Sequence, residues 1–123
     1  MTGADPTQQA QHSGVAVGPG IDRSLPRPLL AVLQARPGHE QQMRELVIEL
    51  TRQNRAEPGC VTFIPYKTDR FPGRFYLYEI FADAAAFETH LEYDHVRHFR
   101  ALLPTVSTSG PEDLVQLIEI PIS

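Results

Sequence analysis

The stretch RFYLYEIFA, residues 74–82, constrains the fold of this chain more than any other. It is apolar and aromatic almost throughout, which predicts a β-strand. Alternate side chains of a strand face opposite sides of its sheet, so both faces are apolar here and each needs a covering layer. One face carries Phe75, Leu77, Phe81 and the single acid Glu79, and the other carries Tyr76, Tyr78 and Ile80.

The segments around this strand alternate between strand and helix patterns. Short apolar runs bounded by turn residues predict strands. Apolar residues spaced three and four apart predict amphipathic helices. The resulting order, β-α-β-β-α-β, predicts an α+β fold, a ferredoxin-like sandwich whose antiparallel sheet carries its helices on one face. The predicted strands are 29–35, 60–68, 74–82 and 114–120, and the predicted helices are 39–57, 83–92 and 95–103.

No helix is left to cover the second face of such a sheet. In a single chain Tyr76, Tyr78 and Ile80 would then face solvent. An exposed apolar face of this size is typical of an interface. We therefore expect a homodimer in which two sheets pack face to face.

Residues 1–27 differ in composition from the rest of the chain. Gly, Pro, Gln and Ser dominate, and there is no aromatic residue and no sustained period. Such a segment cannot bury enough apolar surface to offset its ordering entropy. We predict a disordered N-terminal tail over residues 1–27 and a folded domain over residues 28–123. The motif GVAV within the tail leaves open that it docks on the domain or on a partner subunit.

Charge and composition argue against several classes of function. Eleven Lys and Arg against fifteen Asp and Glu give a net charge of −4, without the basic stripe that nucleic acid binding requires. No apolar run approaches the roughly 20 residues that cross a bilayer, and no signal peptide pattern is present. The single cysteine, Cys60, indicates a reducing compartment. We expect a cytoplasmic protein with no nucleic acid and no membrane as partner.

Two longer stretches carry a series of motifs. EPGCVTFIPYKT begins at residue 57, and RFYLYEIFADAAAFETHLEYDHVRHF begins at residue 74. The series is EPG before the second strand, YE in the third, an acid at the start of the next helix, then AFxxH and HVxxF. It resembles the antibiotic biosynthesis monooxygenase family, whose members are dimeric α/β barrels, over about residues 29–120. That family includes quinol and anthrone monooxygenases, haem-degrading enzymes and an isomerase of a signalling sugar phosphate, so the resemblance implies the fold strongly and the reaction loosely.

The residues fit poorly with cofactor or metal chemistry. The haem-degrading relatives carry a tryptophan, an iron-ligating histidine and an asparagine where this chain has His90, Arg100 and Ala31, and the chain has no tryptophan. No glycine-rich motif for flavin or nicotinamide is present. His90, His95 and His98 spell H-x4-H-x2-H, which is not a recognised ligand spacing. We therefore expect no cofactor and no metal.

His90 and Glu79 are the predicted catalytic pair. His90 lies on the helix stripe expected to face the sheet, and the ordinary pKa of imidazole suits a base near neutral pH. Glu79 lies within an apolar strand, where an unpaired carboxylate is costly, and would orient the imidazole or bind a substrate proton. The alternatives are a packed histidine with a single hydrogen bond, and a carboxylate paired with Arg36 or Arg100.

The predicted pocket lies between the helices and the sheet. Apolar side chains should form most of its wall, and polar groups should lie near its entrance. Tyr66 would donate a phenolic hydrogen bond to an oxygen of the substrate, although cross-strand packing also explains a tyrosine at this position. The predicted substrate-binding residues are Phe63, Tyr66, Leu77, Phe87, His95 and Phe99.

The catalytic pair and the resemblance together predict a cofactor-independent monooxygenase. Its substrates would be dioxygen and a small aromatic molecule, such as a quinol, a phenol or an anthrone. A deprotonated phenol is itself a reductant, so a base and a dry apolar pocket suffice. The alternatives are an isomerase of a small carbonyl or sugar-phosphate compound, and a non-catalytic dimeric ligand-binding or stress-related protein. A pocket too small for a ring would favour the alternatives.

Overall fold

The computed structural model describes residues 13–110 and 113–122. A four-stranded antiparallel sheet with the strand order β2-β3-β1-β4 packs against helices on one face. This is the ferredoxin-like α+β fold, and the prediction from the element order is confirmed. The strands are β1 (Leu29–Gln34), β2 (Cys60–Lys67), β3 (Arg74–Phe81) and β4 (Leu114–Gln116), and the helices are α1 (Glu40–Arg55), α2 (Ala84–Glu92) and α3 (Asp94–Val106).

The central strand β3 has the predicted alternation of its side chains. In β3 Glu79 has Leu29 of β1 as its partner on one side and Phe63 of β2 on the other. The side chains on the helix face are buried, and those on the opposite face, here called the outer face, are half-buried. The buried set is Phe75, Leu77, Glu79 and Phe81, and the outer face carries Tyr76, Tyr78 and Ile80.

The hydrophobic core fills the layer between the sheet and the helices. Helix α1 contributes Met43, Val47 and Leu50, whose spacing of four and three residues places them on one buried stripe. These residues join a large cluster around the middle of the sheet. A smaller cluster under α2 contains Leu29, Phe81, Phe87 and Leu91.

The ends of the elements differ from the predicted ones. Strand β4 stops at Gln116 rather than at residue 120, because Gln116 pairs with Leu29, the first residue of β1, and beyond this pair only the N–H of Leu117 donates to the described backbone, at 2.8 Å from the carbonyl of Pro28. Helix α3 continues to Val106 past Pro104. Among the described residues no helix is long and apolar enough to cross a membrane.

Residues 13–27 lie against the domain, which differs from the disordered tail predicted for residues 1–27. Val15, Val17 and Ile21 pack on the smaller cluster. Arg23 donates from Nε and Nη2 to the two carboxylate oxygens of Glu88 at 2.7 and 2.6 Å. Val15 and Val17 belong to the GVAV motif, for which docking on the domain is the alternative to disorder that the sequence leaves open. Residues 1–12 lie outside the described residues, and the domain boundary at residue 28 stays a prediction.

Candidate active site

A cavity of about 330 Å³ lies between the sheet and the helices. Its volume falls in the range of pockets that hold small organic ligands, roughly 300–1,000 Å³, so it is large enough for an aromatic ring. Four of the predicted pocket residues line it: Phe63, Leu77, Phe87 and Phe99. Their contact with a substrate stays a prediction.

Polar side chains interrupt the apolar wall of this cavity. Asn54 comes from α1, Glu79 from β3, His90 from α2 and Arg100 from α3. Among them, Asn54, Glu79 and His90 are buried. The predicted catalytic residues therefore both face one cavity.

The partner of His90 is Glu57 and not Glu79. Nδ1 of His90 lies 3.0 Å from each carboxylate oxygen of Glu57. On the other side of the same carboxylate, Nε2 of His95 lies 2.7 Å from Oε2. The prediction that Glu79 orients His90 is thus corrected: Glu57 holds Nδ1 of the ring, and within the described residues no hydrogen bond joins His90 to Glu79.

The turn between α1 and β2 places Glu57 beside His90. The backbone N–H of Glu57 donates to the carbonyl of Asn54 at 3.0 Å, which continues the helical path past the end of α1. Two residues on, a Cβ at Gly59 would lie 2.5 Å from Cβ of Ala86, a distance that real side chains do not reach. Only glycine allows α2 to approach so closely, and this approach brings His90 to Glu57.

The orientation of His90 makes its second nitrogen a base. A carboxylate accepts a hydrogen bond, so the proton of neutral His90 resides on Nδ1 and the lone pair on Nε2. The ring is held by Phe81, with centroids 4.5 Å apart, and stacks on Phe87 at 6.2 Å. A carboxylate that fixes the tautomer of a histidine and stabilises its charged form is a recurring device of general base catalysis.

Glu79 holds its proton at neutral pH. Desolvation by burial, and then the negative charge of Glu57, raise the pKa of Glu79 to about 8. A neutral carboxyl group is a hydrogen-bond donor. The cavity wall therefore carries an imidazole, His90, and a neutral carboxyl group, Glu79.

Two predicted pocket residues lie elsewhere. Tyr66 is exposed on the outer face, opposite Tyr76, because it lies three residues after the inward-facing Phe63 on the same strand. His95 lies behind Glu57 and lines a separate surface depression, together with His98, rather than the cavity. The assignment of both to the pocket is corrected.

Two buried polar residues, Asn54 and Glu57, are not among the residues predicted for the site. Met43, Val47 and Leu50 define the buried stripe of α1, and the same spacing continues to Asn54 and Glu57. Asn and Glu at positions where this stripe is otherwise apolar are a signal that the sequence contained.

Two other cationic residues, Arg97 and Lys67, do not line the cavity. Arg97 is paired with Glu92, and Lys67 with Asp69, in exposed ion pairs. Within residues 13–110 and 113–122, no group of three or more His, Cys, Asp or Glu is arranged to hold a metal ion. Among the described residues, Arg100 is the one lysine or arginine that lines the cavity.

Comparison with known proteins agrees with this architecture. Residues 29–102 match the family described as antibiotic biosynthesis monooxygenase. PA3566 from Pseudomonas aeruginosa has a TM-score of 0.70 at 25% identity, over 82% of this chain and 100% of its own. Rv0793 from Mycobacterium tuberculosis has a TM-score of 0.65 at 22% identity, over 78% of this chain and 94% of its own.

A third solved structure, described as an antibiotic biosynthesis monooxygenase, has a TM-score of 0.68 at 23% identity, over 76% of this chain and 98% of its own. No curated protein matches the chain. The family match covers the three longer strands, α1, α2 and most of α3, and the solved structures share the fold. The chain therefore belongs to the antibiotic biosynthesis monooxygenase family.

Proposed function

We propose that the protein is a monooxygenase that oxidises a small electron-rich aromatic molecule, a phenol, quinol or anthrone, with dioxygen and without a cofactor. The observation that carries the proposal is His90, which lines an apolar cavity large enough for a ring and is paired through Nδ1 with the carboxylate of Glu57. Membership of a family named for monooxygenases is consistent with this chemistry. The aromatic substrate is inferred from the cavity.

The first step is removal of a proton from the substrate. Nε2 of His90 accepts the proton of a ring hydroxyl, and Glu57 stabilises the imidazolium through the hydrogen bond to Nδ1. Glu79 remains neutral near pH 7 and donates a hydrogen bond to an oxygen of the substrate. The apolar wall excludes water and keeps the anion reactive.

The electrons for the reaction come from the substrate. The phenolate passes an electron to dioxygen, and the two radicals combine to form a carbon–oxygen bond on the ring. Cleavage of the oxygen–oxygen bond leaves one oxygen as a carbonyl and releases the other as water. A phenol plus dioxygen thus gives a quinone plus water, in which the ring loses four electrons and the dioxygen molecule gains them.

A second candidate is isomerisation of a small carbonyl compound. A base and a neutral acid in one cavity, His90 and Glu79, are also what enolisation requires. A phosphorylated substrate is less well served, because Arg100 is the one cationic side chain that the described cavity wall offers. Exchange of a carbon-bound proton with solvent deuterium, without oxygen uptake, would favour this candidate.

We further propose that the protein works as a cytoplasmic homodimer. The outer face presents Tyr76, Tyr78 and Ile80, which are only half-buried although large and apolar. Packing two such faces together removes this apolar surface from water.

The monooxygenase proposal is tested by oxygen uptake and isotope transfer. The purified protein is mixed with 1,8-dihydroxy-9-anthrone or 1,4-dihydroxynaphthalene, and uptake is recorded against the enzyme-free rate. Under ¹⁸O₂, mass spectrometry of the anthrone product should show one labelled carbonyl oxygen. His90→Ala should lower turnover roughly 10²-fold or more, the usual contribution of a positioned base.

His98→Ala is the matched control, because His98 is an exposed imidazole on the neighbouring helix. It should leave turnover within a factor of a few. Melting curves must show that both variants are folded, since removing the buried His90 ring opens a cavity. Full activity in a folded His90→Ala variant would refute the role of the base.

A further inference from the structure

Asn54 is a buried polar residue that the proposed chemistry does not use. Its side chain lines the cavity, and the residue is 1% exposed. Neither its Oδ1 nor its Nδ2 has a hydrogen-bond partner within the part of the chain that the structure describes. A buried amide without a partner is costly, and native proteins retain very few such groups.

A neighbouring polar residue on the same helix behaves differently. Thr51 is also buried, and its Oγ1 donates to the backbone carbonyl of Val47 at 2.7 Å. Thr51 is thus satisfied within α1 and does not line the cavity. Asn54, one turn later, lines the cavity, and among the described residues neither the donor nor the acceptor of its buried amide is satisfied.

The surroundings place Asn54 near the proposed acid and base. Nε of the adjacent Arg55 donates to the backbone carbonyl of Phe63 at 2.9 Å, which fixes the end of α1 over β2. Phe63 is the cross-strand partner of Glu79. The carbonyl of Asn54 accepts the N–H of Glu57, the partner of His90. Asn54, Glu79 and His90 all line this one cavity.

We infer that Asn54 recognises a second oxygen substituent on the substrate, distinct from the hydroxyl that faces His90. A ring carbonyl would accept a hydrogen bond from Nδ2, and a second ring hydroxyl would donate one to Oδ1. The substrate class is then an aromatic ring system with two neutral oxygen functions. The inference rests on the proposed function for the role of His90, but recognition by the amide requires only binding.

Binding of matched aromatic probes tests this inference. Affinities of 1-naphthol and of the 1,3-, 1,4- and 1,5-dihydroxynaphthalenes are measured by calorimetry without oxygen, so that no turnover occurs. At least one isomer should bind the unmodified protein roughly tenfold more tightly than 1-naphthol, as expected for one additional hydrogen bond to a buried amide. That preference should vanish in Asn54→Leu and in Asn54→Ala.

The ligand-free variants provide a second readout. Asn54→Leu should raise the melting temperature by roughly 2–8 °C, because it removes an unpaired buried amide. Thr51→Val is the matched control. It removes a hydroxyl that is already satisfied, so it should lower the melting temperature or leave it unchanged and keep the preference for two oxygens.

The possible outcomes separate the two proposals. If both Asn54 variants keep the preference, or no isomer binds better than 1-naphthol, the inference fails. If Asn54→Leu and Asn54→Ala both lower the melting temperature by several degrees, the amide is structural and the inference fails as well. If the preference depends on Asn54 but no oxygen is consumed, the inference stands and the monooxygenase proposal fails.

Discussion

The substitution Glu79→Gln should remove a pH dependence of stability that the buried acid imposes on this protein. Burial and the charge of Glu57 raise the pKa of Glu79 from 4.5 to about 8. Between these values the folded chain keeps a proton that the unfolded chain releases. The contribution of Glu79 to stability is therefore fully present below pH 4.5, falls as the pH rises towards 8, and is lost above it.

The size of this effect follows from the shift of the pKa. A pKa difference of 8 − 4.5, about 3.5, at roughly 1.36 kcal/mol for each pH unit corresponds to about 5 kcal/mol. Typical domains have an unfolding free energy of about 5–15 kcal/mol, so the loss is a large fraction of the total. A glutamine side chain at this position has no proton to release, and the variant should lack this dependence.

Urea unfolding between pH 5 and pH 9 measures the effect. Tyrosine fluorescence and circular dichroism report the transition, and the unfolding free energy of the variant is compared with that of the unmodified protein at each pH. The Glu79→Gln variant should gain relative stability steadily from pH 5 to pH 8 and no further above pH 8. Most other titrating groups cancel in this difference because they are common to both proteins.

Two control variants test whether the buried Glu79, and its interaction with Glu57, cause this pH dependence of stability. Glu49→Gln changes an acid of α1 whose side chain is 58% exposed, and should give no such trend. In a Glu57→Gln background the effect of Glu79→Gln should shrink, because one of the two causes of the raised pKa is gone. Parallel stability curves for Glu79→Gln and the unmodified protein would refute the reasoning.

Three further predictions concern packing in the turn after α1, on the outer face of the sheet and along residues 13–27. Gly59→Ala should cost about 1–3 kcal/mol through overlap with Ala86 and should be partly rescued by Ala86→Gly, which denaturant unfolding would show; equal stability of both variants and the unmodified protein would contradict the close approach. Tyr78→Glu should dissociate or unfold the proposed dimer by burying a charge, and light scattering that shows a monomer before substitution would rule that dimer out. Arg23→Ala should speed hydrogen exchange in residues 13–27, with about 1–3 kcal/mol lost from their protection. Desolvation by burial raises the pKa of Glu88, but hydrogen bonds from Arg23 and Ser13 outweigh it and lower that pKa overall. The same faster exchange should therefore appear in the unmodified protein as the pH falls through the pKa of Glu88. Unchanged hydrogen exchange in both tests would refute the prediction.

The fold could be predicted because periodicity is a local property of the sequence. The alternation in β3 assigned Glu79 to the buried face and Tyr78 to the outer face, and both assignments are confirmed. The extent of β4 depends instead on where β1 begins, which is a relation between distant segments. The docking of residues 13–27 likewise depends on Glu88, a residue far away in sequence.

The candidate site was predicted in part, and the errors have physical causes. His90 and Glu79 share the cavity, but a sequence does not reveal which carboxylate meets an imidazole across a turn. The sequence indicates Glu57 only as part of the EPG motif before β2. Tyr66 could have been excluded from the pocket, because residues three apart on a strand face opposite sides and Phe63 faces inward.

The cavity wall combines segments of two kinds. The proposed acid and base, Glu79 and His90, belong to the closely packed central strand and α2, and His90 is held by Glu57 of the turn after α1. Other parts of the wall come from Val17 of the N-terminal segment and from Ser109, Gly110 and Asp113 of the loop before β4. Changes in these bordering segments alter the shape of the cavity and leave the Glu57–His90 pair intact. The proposed chemistry and the choice of substrate can therefore vary independently in this fold.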